Sequence, residues 1–408
     1  LVDEVVEQKD LLKQAKQLAT QLLEQGGKVA PWDEDDYQLD EKSVAVLARA
    51  DARATLLAQG GWAEQKASLY PASNAIVDCM TQGNAKGFDD GCDVEWDIFV
   101  ELMKHPIASS MVSTGFLNKT AAPKIAAANS RVEGFTPSIE SVVWRAAETA
   151  PRRLVKMPVQ ETITEGECIE VADIDQLDDR GNENVTRIVL QSLNDRSSVK
   201  LAANSVHLKY AGALAKCDAV ELIANAATSK KALAQAVNFV SRLGLMPIVS
   251  KSGASVGELL VGSVMNTLTS YGLSSDAIVK LGAEIDADSL LSVASSGASL
   301  GQKDVSDKDE LRRVGIDVLI QGALSVYKLL QEESNDCSSQ AAERAGMVDL
   351  LANSGLGFPA WTGGPISLLS MVQYQELEGF EPSEEAVALV KEIPVQLKSA
   401  AGYLFTPL

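Results

Sequence analysis

The chain reads as a mostly helical α+β protein with a short α/β segment in its middle, and three observations predict this class. Up to about residue 120, apolar side chains recur at the spacing of helix faces. Residues 151–224 break instead into short β-branched runs separated by polar turns. From about residue 254 onward the helical spacing returns.

Taken in order, Leu11, Ala15, Leu18 and Leu22 share one face of a helix over 10–25, which Gly26 and Gly27 stop. Pro31 to Asp36 is an acidic turn or loop. Asp40 suits the N-cap of a helix running to about Gln59, ended by Gly60 and Gly61. A third helix starts near Asp90 and turns Val94, Ile98, Phe99, Leu102 and Met103 inward. Thr120 to Ala150 also reads as helical, with the single glycine Gly134. The middle segment offers candidate strands at Leu154–Met157, Cys168–Ala172, Arg187–Leu190 and Val199–Ala202, and a turn-rich loop from Asp178 to Asn184. A helix over 230–243 leads through Gly244 into a strand at Met246–Val249. Residues 309–331 form a strong amphipathic helix. Gly355 to Pro365 is a Gly/Pro-rich connection, and Pro365 suits the first turn of a helix from Ile366 to Val372.

The length of 408 residues suggests two or three domains, and 46% hydrophobic against 23% charged residues is ordinary for a folded globular chain. A formal charge of −20 and a pI near 4.6 repel nucleic acid and anionic lipid. A polyanion such as coenzyme A would need a local basic patch. Arg152, Arg153 and Lys156 are the densest basic cluster, readable as that patch or as a solvated face. Five scattered cysteines without CxxC spacing suggest reduced thiols, not a disulfide framework or a zinc site. No apolar run approaches the roughly 20 residues of a membrane span. The chain opens at Leu1 without a basic-then-apolar leader, so the natural protein is expected to begin upstream, to be processed, or to be represented in part.

Chemistry-bearing motifs are few. There is neither a P-loop nor a GxGxxG dinucleotide turn, and there is no HExxH zinc helix. The pairs Gly60-Gly61 and Gly363-Gly364 do not follow strands and read as stops and turns. Only two histidines exist. His105 precedes Pro106 at a helix end and reads as structural. His207 follows an apparent strand, with Glu221 further along in Ala219 to Ile223. A histidine oriented by a carboxylate can act as a general base; the plainer reading is a satisfied loop histidine.

Three stretches carry a family resemblance. Leu1-Val2-Asp3-Glu4-Val5-Val6 and the helix after it look like the end of a crotonase-fold enoyl-CoA hydratase. Residues 68–119 succeed one another as Leu69-Tyr70-Pro71-Ala72, Ala75-Ile76, Gly87-Phe88-Asp89, Gly91, Glu95, Phe99, Leu102, Pro106 and Phe116-Leu117-Asn118-Lys119. Residues 219–262 and the run from Ser354 to Pro365 (SGLGFPAWTGGP) look like the 3-hydroxyacyl-CoA dehydrogenase junction and final helical domain. On these residues the chain resembles the α-subunit of the fatty-acid β-oxidation multienzyme.

That resemblance implies four segments: residues 1–30 as the end of a crotonase-like hydratase domain, 31–120 as a helical linker, 121–253 as a reduced or altered Rossmann-like NAD-binding domain, and 254–408 as a C-terminal helical dehydrogenase domain. It implies hydration of a trans-2-enoyl-CoA followed by NAD-dependent oxidation of the 3-hydroxyacyl-CoA, without a metal. The catalytic base maps loosely to His207 and its acid to Glu221. A thiolase β-subunit is the expected partner, with a homo-oligomer also possible, and the expected place is the cytoplasm of a bacterium or else a mitochondrial matrix. The aromatics Trp62, Tyr70, Phe88, Trp96 and Phe99 read as anchors for that partner or a second copy, or as a local core.

The departures matter as much. The family's hydratase carboxylates lie upstream of the segment that Leu1 opens, so the chain by itself is expected not to hydrate crotonyl-CoA. A steady loss of enoyl absorbance with pure protein would contradict this. The dinucleotide glycines expected soon after Lys119 are missing. A substrate-binding asparagine of the family falls at Gly257. The alternatives are therefore a working multienzyme subunit, a degenerate scaffold that holds a thiolase, or an intact enzyme represented in part.

Overall fold

The computed structural model describes residues 4–27, 41–83, 86–163, 166–173, 185–195, 204–224, 226–250, 254–333, 339–377 and 379–393. The expected strand at Val199–Ala202 and the loop from Asp178 to Asn184 lie outside them. The fold is α+β and mostly helical, with one six-stranded, mostly parallel sheet.

The first part is helical: α1 (Leu11–Glu24), α2 (Glu41–Leu47), α3 (Ala52–Gln59), α4 (Glu64–Ala67), α5 (Pro71–Gly83), α6 (Phe88–Lys104), α7 (Pro106–Val112) and α8 (Lys119–Asn129). The single helix expected from Asp40 to Gln59 is two helices. Arg49 turns back to form a bidentate pair with Asp51 at 2.7 Å, and the chain restarts at Ala52. α5 and α6 form an antiparallel hairpin whose backbones meet at two glycines; a Cβ on Gly91 would lie 3.3 Å from the Gly83 carbonyl. His105 caps α7, its Nδ1 accepting the Ile107 N–H at 3.2 Å, which is the structural role expected of it. Between α7 and α8 a π-helical stretch, Ser113–Asn118, precedes Pro123, which lacks the N–H that the ladder would use.

The sheet comprises β1 (Ser141–Trp144), β2 (Cys168–Asp173), β3 (Val185–Ser192), β4 (Ser205–Tyr210), β5 (Ala219–Ile223) and β6 (Met246–Ser250). Its spatial order is the chain order, and only β4 and β5 run antiparallel. Two expectations fail here. Residues 120–150 are not one helix: after Gly134 and Pro137 the β-branched pair in Ser-Val-Val-Trp makes β1. Leu154–Met157 is not a strand but part of a 3-10 turn (Arg152–Lys156) after Pro151. The contact with β1 is made just downstream, where the Val142 N–H donates to the Pro158 carbonyl and Gln160 N–H to that of Val142. The Arg153 guanidinium lies against Gly244, just past the C-terminal end of the helix over 230–242, where a cation is favoured.

That helix, α9 (Lys230–Arg242), is capped by Ser229 and covers one sheet face. Ile169, Val171, Ile188, Leu190, Val206, Leu208 and Leu222 pack there against Ala236, Val237, Phe239 and Val240. The last part is a helical bundle of α10 (Val256–Ser270), α11 (Ser275–Ile285), α12 (Asp288–Ser295), α13 (Lys308–Glu333), α14 (Ser339–Gly355), α15 (Pro365–Gln373) and α16 (Glu384–Lys391). Its core includes Leu260, Val264, Leu281, Leu319, Leu351, Phe358 and Trp361. The first helices are tied to it. Tyr70 donates to Asp286, Lys66 pairs with Asp286 at 2.8 Å, and the ring of Trp62 meets Tyr70 edge-on at 5.2 Å.

Candidate functional site

Side chains alternate across a strand, so the register sorts the sheet into two faces. Opposite the apolar face stands a row of polar side chains: Glu170 on β2, Arg187 and Gln191 on β3, His207 and Lys209 on β4, and Glu221 on β5. All are 6% exposed or less. Arg187 is the register partner of Glu170 and donates to it at 3.1 Å, while Arg145, just past β1, reaches the other oxygen at 3.0 Å. Each charge in this trio offsets the desolvation of its neighbour.

The two residues singled out from the sequence lie on this face, on adjacent strands. His207 is opposite Ile223, and Glu221 is opposite Lys209. His207 thus sits within β4, not after a strand. The two side chains do not hydrogen bond to one another. The Glu221 carboxylate accepts from Ser250 Oγ at 2.7 Å, Ser255 Oγ at 2.6 Å, Val256 N–H at 2.8 Å and Gly257 N–H at 3.2 Å. It therefore fastens the N-terminus of α10 to the centre of β5, using the free amides and positive dipole end of that helix. The Nε2 of His207 has no partner among the described residues. Lys209 pairs instead with Glu258, in the first turn of α10. Sequence reasoning missed Lys209, and its position two residues from His207 on a strand was the signal available.

Burial above all, and then the Lys209 ammonium, depress the His207 imidazole from 6.5 to about 4, with Glu258 acting in the opposite direction. The histidine is thus neutral when folded and protonates earlier when unfolded. Its contribution to stability is complete above 6.5 and is lost as pH falls toward 4. Between pH 7.5 and 4.5 this amounts to up to about 3 kcal/mol. His207→Gln should remove that loss. Urea denaturation at both pH values is expected to show the variant losing about 2–3 kcal/mol less than the parent over the interval. An equal loss in both proteins would contradict the assignment.

Gly257 occupies the place where a substrate-binding asparagine was expected. A Cβ there would lie 2.9 Å from Leu193 Cδ1 and 3.4 Å from Leu356 Cδ2, so two leucines take the space of a polar side chain. At the carboxyl end of β1 the chain continues as Arg145-Ala146-Ala147-Glu148-Thr149-Ala150-Pro151. Asp173, the last residue of β2, accepts the Ala147 N–H at 2.7 Å. Glu148 receives the Tyr210 hydroxyl at 3.1 Å, and its carbonyl takes the Trp144 indole N–H at 3.1 Å. Two carboxylates, Asp173 at the end of β2 and Glu148 in the loop after β1, therefore stand close to the carboxyl end of β1.

Among the described residues no three His, Cys, Asp or Glu side chains gather as a metal site requires, and no helix is long and apolar enough to cross a membrane. A cavity of about 720 Å³ lies away from the sheet, between α2, α3, α5 and α6. A scan against protein-family models finds no match, and a search of curated proteins finds none either.

Proposed function

We propose that the chain is a module of a fatty-acid β-oxidation multienzyme of the α-subunit kind, one whose sheet domain has given up nicotinamide binding and serves as a scaffold for a thiolase-like partner. The metabolic assignment rests on the resemblance of residues 68–119, 219–262 and 354–365. The loss of catalysis rests on one observation, the bond from Ala147 N–H to Asp173. A dinucleotide needs open amides and glycines where its pyrophosphate meets the turn after β1, because a Cβ would collide there. Here that amide is taken by the acid at the end of β2, the turn has side chains throughout, and Glu148 adds a negative charge beside it. Glu221 is engaged by four donors, one from β6 and three from the start of α10, and is unavailable to orient a base. Gly257 offers a substrate no amide side chain.

Titration of NADH into the protein, followed by its own fluorescence, tests this directly. No saturation is expected up to about 1 mM, the range in which only some 4 kcal/mol of binding survives. A dissociation constant in the low micromolar range would overturn the scaffold reading in favour of a working dehydrogenase. In that case His207, whose Nε2 has no partner among the described residues, would be its base, and His207→Gln should abolish oxidation of a 3-hydroxyacyl-CoA without unfolding the chain.

A further inference from the structure

Where α5 and α6 meet, the hairpin carries small residues: Cys79 and Gly83 on α5, Gly91 and Cys92 on α6. A Cβ on Gly83 would lie 3.5 Å from the Gly91 carbonyl, so the two backbones touch there. Beside this contact lies the cavity of about 720 Å³, which all four residues line. Small side chains on the hairpin leave it room. The rest of its wall is largely apolar, with Val46 and Leu47 from α2, Leu56 from α3, Met80 from α5 and Phe88 from α6.

Three charged residues share the described lining: Lys42, Lys86 and Glu95. Asp89, Asp90 and Asp93 of α6 are not part of it. In a chain of net charge −20 this is a space with two cations to one acid. The charges are spread along it. Lys86 precedes the start of α6, and Glu95 lies about 10 Å beyond Phe88 at 1.5 Å a residue. On α2, Lys42 and Val46 are one helical turn apart and share a face, so a cation again borders the apolar wall.

An apolar chain with one negative end matches these features. Its carbons leave water for the wall, and its charge takes the lysines as counter-ions while their stems add apolar surface. Glu95 in the same space repels a dianion more than a monoanion, which favours a carboxylate over a phosphate. At about the 30 Å³ that a water molecule occupies for each heavy atom, a ten-carbon carboxylate needs about 360 Å³, half of the cavity. We propose that this cavity binds an unbranched aliphatic carboxylate of medium length, its charge held by the lysines and its chain laid against Leu47, Leu56, Met80 and Phe88. The inference does not rest on the metabolic reading, and its test involves neither the sheet nor NADH, so either can fail alone.

The test is calorimetric titration of decanoate into the full chain at pH 7.5, with a dissociation constant expected on the order of 10–100 μM. Octanoate, two methylenes shorter, should bind about tenfold more weakly. Decanol and decyl phosphate should both bind more weakly than decanoate. Cys92 supplies a readout of position, because it is exposed and lines the cavity. Its alkylation by iodoacetamide, mapped by mass spectrometry, should slow about tenfold at a decanoate concentration ten times the dissociation constant. Lys42→Glu with Lys86→Glu should weaken decanoate about tenfold and leave decanol unchanged. Met80→Trp, which fills the space, should weaken both. Absence of saturation up to about 1 mM would overturn the proposal. So would binding that leaves Cys92 alkylation unslowed, tighter binding of decyl phosphate, or a lysine pair whose reversal does not weaken decanoate. If a variant altered the circular dichroism, protection of Cys92 in the parent would still decide the matter.

Discussion

Glu221→Ala is expected to cost the folded chain about 3–5 kcal/mol, measured as a drop in unfolding free energy in urea at pH 7.5. The reason is the number of groups the carboxylate satisfies at once. Removing it leaves the amides of Val256 and Gly257 and the hydroxyls of Ser250 and Ser255 without their acceptor, in a place where Glu221 is 1% exposed. Each buried group so orphaned costs on the order of 1–3 kcal/mol, less whatever relaxation recovers. The space left by the four lost heavy atoms (Cγ, Cδ and two oxygens) beneath α10 adds to this. Glu221→Gln should cost less, since one oxygen remains to accept while its amide nitrogen faces donors. The pair separates two roles for the residue. An acid that only orients a catalytic histidine could be lost with little effect on stability, whereas one that anchors α10 to β5 could not. Alanine losing less than about 1 kcal/mol would refute the anchoring role.

Why Glu221 stood out in the sequence, and why its partners did not, follows from what a linear pattern contains. Glu221 was singled out as a carboxylate able to orient His207 and by the family resemblance; that its place inside the apolar run Ala-Val-Glu-Leu-Ile demands satisfied hydrogen bonds is a separate signal. Its partners come from residues 250–257, beyond an entire helix, and no local rule names them. The helices at 11–24, 230–242, 308–333 and 365–373 were legible because each has a clear apolar face or a cap. β1 was missed because four residues in a sheet are stabilised by their neighbours in space, here β2, and not by local propensity. The order of the strands was also out of reach, since parallel pairing is set by crossovers. Of the aromatics singled out before residue 120, Tyr70 and Trp62 pack against one another beside the helical bundle, while Phe88, Trp96 and Phe99 are exposed. Helical periodicity marks an apolar face without saying what covers it.

The Gly363-Gly364-Pro365 turn is expected to tolerate change even less, and Gly364→Ala should destabilise the chain by about 3 kcal/mol or more. Gly364 has φ 118° and ψ 177°, a conformation that only glycine adopts readily. A Cβ there would lie 2.5–2.6 Å from the Cβ, Cα and Cγ of Asp349, so strain and collision add. The approach is close for a reason. Asp349, on α14, accepts Ile366 N–H at 2.7 Å, Ser367 N–H at 3.1 Å and Ser367 Oγ at 2.8 Å, holding the first turn of α15 against it. Thr114 in the π-helical stretch donates to the Gly363 carbonyl at 2.6 Å, so the same turn also fixes that stretch to the bundle. Neither side can retreat without releasing the other. Burial raises the Asp349 carboxyl from 3.8 to about 7, against the lowering effect of its three donors. A folded value above the unfolded one means the native state holds its proton longer. Stability is therefore greatest below about pH 4 as far as this group is concerned, and declines as pH rises toward 7, in the opposite sense to His207. Asp349→Asn removes that decline while keeping one acceptor, so the parent should lose more stability than the variant between pH 5 and pH 7.5. As a control, Gly262→Ala in the interior of α10, where a Cβ would meet nothing within 4 Å, should be neutral or stabilise by up to about 1 kcal/mol. If Gly364→Ala and Gly262→Ala shifted the urea midpoint alike, the turn would not be the junction that the geometry describes.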